Sequence, residues 1–131
     1  MRYIRYNPGE LAYFVQSEKN GSRFYKDLSE YSNAYREEFE RISVDCVIRM
    51  VMFLGMCKSI GMKFTAENAS VPKVLELRES VSFAISEETE NLRRLGVFYE
   101  TCGDADAKKI SSVIHKKTAD LFVLYKIERG C

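Results

Sequence analysis

Apolar residues recur along this chain every three to four positions, and nowhere do they alternate with polar ones over a strand-length stretch. That period belongs to amphipathic helices and argues against strands. Prolines occur only at Pro8 and Pro72, and glycines are few, so the apolar stripes run long. The first helix starts at Asn7-Pro8-Gly9-Glu10. Asn7 suits the cap, Pro8 the first helical position and Glu10 the third residue of a capping box. A stripe of Leu11, Phe14, Gly21, Tyr25 and Leu28 carries it to about Tyr31, with Glu18 in line. Asn20-Gly21-Ser22 is expected to kink or break it.

Ser32-Asn33 forms a turn, with Asn33 as the cap of a second helix from about Ala34 to Ile60. This helix bears two stripes. One is Tyr35, Phe39, Ile42, Cys46, Met50, Phe53 and Cys57; the other is Val44, Ile48, Val51 and Gly55. A bundle helix needs only one, so the second marks a central helix or half of an interface. Gly61 suits the C-terminal cap. Met62 to Ala69 reads as a connection, and Ser70 and Pro72 announce a third helix running to about Thr101. Its seam is Leu77, Val81, Ala84, Glu88, Leu92, Leu95, Phe98 and Cys102. Gly103-Asp104 ends it, and Asp104 is expected to cap a fourth helix over about Ala105 to Glu128. That seam is Ile110, Val113, Lys117, Leu121 and Leu124, with Ile114, His115 and Tyr125 beside it. Four such helices predict an all-α four-helix bundle.

The two halves resemble each other. Phe24-Tyr25 in the first helix recurs as Phe98-Tyr99 in the third, each late in its helix and followed by a short turn and another helix. The second turn is shorter by three residues on this spacing. The chain therefore reads as two copies of one helical hairpin.

Length and composition narrow the setting. The 131 residues suit one domain, 1–131, with one core. With 46% hydrophobic and 30% charged residues, the chain is not of the disordered class. A net charge of +1 supplies no global field for nucleic acid or an anionic membrane. No apolar run is long enough for a membrane span, and MRYIRYNPGE lacks a signal-peptide core, so a cytoplasmic protein is expected. Cys46, Cys57, Cys102 and Cys131 form no CxxC pair. They read as three small core residues and one exposed terminal thiol.

The hairpin repeat also carries a resemblance. Glu18 with Phe24-Tyr25 in EKNGSRFYKDL, FERISVDCVIRM in the second helix, and NLRRLGVFYETCGDADAKKISSVIHKKTADL as the second copy resemble the ferritin-like superfamily, and within it the rubrerythrin-like proteins. The resemblance implies two helical hairpins joined by a crossover, and a di-iron site. Such a site takes a Glu from each of two helices and a Glu-x-x-His from each of the other two. The first helix keeps its acid, Glu18. In the second helix the Glu-x-x-His positions fall on Cys46 and Arg49. In the third the acid position falls on Leu92, with Glu88 one turn earlier as a substitute. In the fourth the positions fall on Lys117 and Asp120, and His115 lies five residues before the place of a ligand His. Two cations aimed at the site oppose a dipositive metal.

No cofactor is therefore expected, with di-iron as the competing outcome. Glu18, Arg49, Lys117 and Asp120 sum to zero charge and are expected to form a core ion-pair cluster instead. Any non-standard metal would draw on Glu18, Cys46, Glu88 and Asp120. The crossover sets a length condition. A second helix of about 27 residues is ~40 Å long, and ten extended residues from Gly61 to Ser70 reach at most ~36 Å. The connection spans the bundle only if the third helix starts late, near Leu77, or the second ends early.

The remaining candidates are bland. Lys108, Lys109, Lys116 and Lys117 read as a solvated face, Met50, Met52, Met56 and Met62 as core or interface filler. Arg2, Tyr3, Arg5 and Tyr6 read as packing on a bundle end. The expectation is a non-catalytic binding or scaffold protein, leaning away from an enzyme, and a homodimer through Val44, Ile48, Val51 and Gly55. The alternatives are a metal-binding or oxidoreductase relative with a non-standard site, and a small helical subunit of a nucleoprotein complex.

Overall fold

The computed structural model describes residues 7–131. The chain forms four helices in order, α1 (Pro8–Tyr31), α2 (Arg36–Ser59), α3 (Leu77–Thr101) and α4 (Asp104–Gly130), with no strand among the described residues. Arg2, Tyr3, Arg5 and Tyr6 lie outside those residues. Contacts group the chain into two compact units, Pro8–Ser80 and one built on Val81–Cys131.

In the first unit α1 and α2 form an antiparallel hairpin. The Phe14 and Phe53 rings stack with centroids 5.1 Å apart. One turn on, Glu18 meets Arg49. Further along, Ser43 Oγ donates to the Ser22 carbonyl at 2.7 Å. The expected break at Asn20-Gly21-Ser22 does not occur, and α1 is continuous. Gly21 serves contact instead: a Cβ there would lie 3.1 Å from Cys46 Sγ. The expected seam residues Leu11, Phe14, Tyr25, Leu28, Phe39, Ile42, Cys46, Phe53 and Cys57 are all buried.

The ends of α2 divide. It starts at Arg36 rather than Ala34, and Asn33 is not its cap. Tyr35 holds that position without a side-chain bond, and the Asn33 side-chain oxygen Oδ1 instead accepts from Arg36 Nη2 at 2.6 Å. Gly61 does end the helix, at φ +74°. Its N–H donates to the Lys58 carbonyl at 3.0 Å and that of Met62 to the Cys57 carbonyl at 2.9 Å. This is a Schellman cap with glycine at the left-handed position.

Helix α3 begins at Leu77, the late start that the crossover length asks for, rather than at the Ser70 and Pro72 signals. Residues 62–76 instead form a non-helical strap along α1. The Gln16 side chain accepts from the Glu67 N–H at 2.8 Å and donates to the Glu67 carbonyl at 3.3 Å. Asn20 Oδ1 accepts from the Ser70 N–H at 3.1 Å, and Tyr31 OH donates to the Leu75 carbonyl at 3.1 Å. The strap thus runs the length of the hairpin, and only the later start of α3 leaves enough chain for it. Pro72 keeps its neighbourhood extended. Glu76 then starts the helix, its carboxylate accepting from the Arg78 and Glu79 N–H groups at 3.1 and 3.0 Å.

In the second unit α3 and α4 are joined by two residues, against four between α1 and α2, so the second turn is shorter by two residues rather than three. Gly103, not Asp104, holds the N-cap position of α4, with extended backbone. Asp104 and Asp106 lie in the first turn, where acids favour the helix dipole. Ser82 Oγ donates to Glu128 Oε2 at 2.5 Å across the hairpin. Val81, Ala84, Leu95, Phe98, Cys102, Ile110, Val113 and Leu124 are buried as the seams require, while Leu92 and Leu121 are half-buried.

Candidate functional site

Each hairpin buries one acid on its first helix and one cation on its second. In the first unit the stripe that buries Phe14 and Tyr25 carries Glu18 inward, leaving it 2% exposed. Three positions separate Cys46 from Arg49, so α2 presents both to the same side. Arg49 is 5% exposed and its Nε donates to Glu18 Oε2. Its Nη2 lies 3.4 Å from Cys46 Sγ. In the second unit the seam of α4 carries Lys117 inward to 1% exposure, and Nζ donates to Glu88 Oε2 at 2.9 Å. Asp120, one turn along, is also 1% exposed.

Glu18 and Arg49, both expected in the core ion-pair cluster, pair in the structure. Glu88, expected in the seam of the third helix and among metal candidates but not in the ion-pair cluster, is the acid that meets Lys117. The signal was available: Glu88 and Lys117 are the charged residues in two otherwise apolar seams on consecutive helices. Lys117 also leaves the solvated basic face, where Lys108, Lys109 and Lys116 remain exposed. His115 is exposed. Cys46, Cys57 and Cys102 are buried free thiols and Cys131 is an exposed one; burial pushes the Cys57 thiol up. The second stripe of α2 is not buried in this chain: Val44, Ile48 and Val51 are 58%, 61% and 60% exposed.

The donor set does not fit a di-iron centre. Cys46 and Arg49 stand where α2 would offer Glu and His, and Lys117 and Asp120 where α4 would. The two acids best placed as ligands, Glu18 and Glu88, each give an oxygen to a buried cation. A metal at either carboxylate would have to displace an ammonium or guanidinium and leave it buried beside a dication, which desolvation and repulsion both oppose. Among the described residues, no three of His, Cys, Asp and Glu gather as a metal site.

No protein-family profile matches this sequence, and no curated protein matches it. Among solved structures, the chain is similar to a crystal structure from Thermotoga maritima described as a ferritin-like diiron-carboxylate protein. The two share 20% identity over 98% of each chain, with a TM-score of 0.77. At that identity the likeness speaks for the fold alone. The chain has the ferritin-like four-helix-bundle fold, two helical hairpins joined by a crossover.

Proposed function

We propose that this protein keeps the ferritin-like fold without the di-iron centre and works as a non-catalytic binding or scaffold protein, cytoplasmic and homodimeric, akin to the rubrerythrin-like branch. The observation that carries the reading is the pair of buried cations, Arg49 on Glu18 and Lys117 on Glu88. Each hairpin meets the buried acid of its first helix with a cation of its second, the role that iron plays for the carboxylates of a di-iron protein. No helix among the described residues is long and apolar enough to cross a membrane. The exposed Val44, Ile48 and Val51 support self-association, since monomers rarely expose a contiguous apolar patch without use for it.

Elemental analysis of the full chain, expressed with iron, manganese and zinc supplied, tests this reading. The expected result is trace metal only. Near-stoichiometric metal would overturn it in favour of a non-standard site on Glu18, Cys46, Glu88 and Asp120. The nucleoprotein alternative loses a member of its basic face with the burial of Lys117. Flow-through on heparin at low salt is expected, and salt-dependent retention would restore that alternative.

A further inference from the structure

The outward face of α2 is aliphatic on both sides of its midpoint and carries opposite charges at its two ends. Its exposed positions include Glu37, Glu40, Val44, Val47, Ile48, Val51, Gly55 and Lys58. Counting outward from the midpoint between Val47 and Ile48, Val44 mirrors Val51, Glu40 mirrors Gly55, and Glu37 mirrors Lys58. The centre is aliphatic, with Val44, Val47, Ile48 and Val51 exposed by 58%, 42%, 61% and 60%. The ends are charged and opposite in sign. Gly55 has open space where a Cβ would stand, so the face carries a notch opposite Glu40.

We infer that this face is one half of a two-fold interface, in which α2 packs antiparallel on α2 of a second copy with the axis between Val47 and Ile48. The inference rests on the homodimer in the reading above and specifies its partner surface and register. In an isologous contact the same patch meets itself, so residue i faces j and j faces i. That symmetry sets Val47 on Ile48, Val44 on Val51 and Glu37 on Lys58, each twice. An aliphatic centre ringed by charge is the ordinary anatomy of an interface. The parallel alternative sets Glu37 on Glu37 and Lys58 on Lys58 and is repelled at both ends. The central side chains are short and β-branched, which lets two helices approach closely. A different partner would not require the pattern to complement itself about its own midpoint.

The test uses the full chain and light scattering at low salt and micromolar concentration. The wild type is expected at twice the chain mass. Ile48→Glu, which sets an unpaired carboxylate at the axis, is expected at the single-chain mass with unchanged far-UV circular dichroism. Glu37→Lys alone and Lys58→Glu alone each reverse two contacts and are expected to raise the dissociation constant by about tenfold. The double variant Glu37→Lys/Lys58→Glu is expected to recover the wild-type value, which only this register allows. In a Cys131→Ser background, Val44→Cys chains mixed with Val51→Cys chains are expected to cross-link on oxidation, and Val44→Cys chains alone are not. A monomeric wild type, a dimer that survives Ile48→Glu, or a double reversal that fails to recover would each overturn the inference. None of these outcomes touches the metal-free reading, which stands or falls on metal content.

Discussion

A guanidinium or ammonium withdrawn from water keeps its charge at tolerable cost only when a carboxylate meets it. Arg49 and Lys117 each have one, in Glu18 and Glu88. Removing the acid should therefore hurt more than removing the whole pair. Glu18→Ala strands Arg49 and is expected to lower unfolding stability by about 3–5 kcal/mol. The double variant Glu18→Leu/Arg49→Met is expected to fall within about 1–2 kcal/mol of wild type, since an apolar pair of similar volume replaces the charges. Urea denaturation measures both, and a harmless Glu18→Ala would contradict the buried pair. An exposed residue gives a different check. Arg93, with Arg94, holds the Glu90 carboxyl down from 4.5 to about 2, chiefly through the Arg93 hydrogen bond. A depressed folded value means the contribution is fully present above about pH 4.5 and fades as pH falls through about 2. Being solvent-exposed, the effect on stability is small. It is legible by carboxyl NMR titration, where Arg93→Ala is expected to move the Glu90 midpoint upward toward 4.5.

The helices themselves follow from their apolar period, and their ends follow from single residues. Gly61 sits at φ +74° in the cap of α2. Gly61→Ala puts a Cβ where the left-handed backbone resists it and is expected to cost about 1–2 kcal/mol. Thermal melts of that variant should show the loss, and an unchanged midpoint would deny the glycine its role. This cap was legible because glycine just past an apolar run has one main structural use. Gly21 was not. A glycine inside a helix weakens it or lets a neighbour close in, and only the position of Cys46 Sγ on α2 decides which. The start of α3 was legible only through arithmetic. Ser70 and Pro72 look like a helix start locally, but a connection along the hairpin needs the residues up to Glu76 as strap. The Gln16, Asn20 and Tyr31 side chains that hold the strap gave no sign of it, because they are ordinary polar positions on the flank of α1.

At the scale of the whole molecule, the repeat made the fold legible. Phe24-Tyr25 and Phe98-Tyr99 pointed to two copies of a hairpin, and the chain has the ferritin-like fold those copies implied. The site was legible in its first half and less so in its second. Glu18 and Arg49 lie at facing positions of one hairpin, whereas Glu88 sits one turn away from the place the repeat assigned and had to be found through Lys117. The two hairpins nevertheless reach the same solution, an inward acid on the first helix answered by a cation on the second. A carboxylate already neutralised by its own chain has little charge left to offer a metal. Anaerobic titration of the full chain with ferrous iron, followed by equilibrium dialysis, tests it most directly. No saturable uptake is expected at micromolar iron. Saturable binding approaching two iron ions per chain would contradict it.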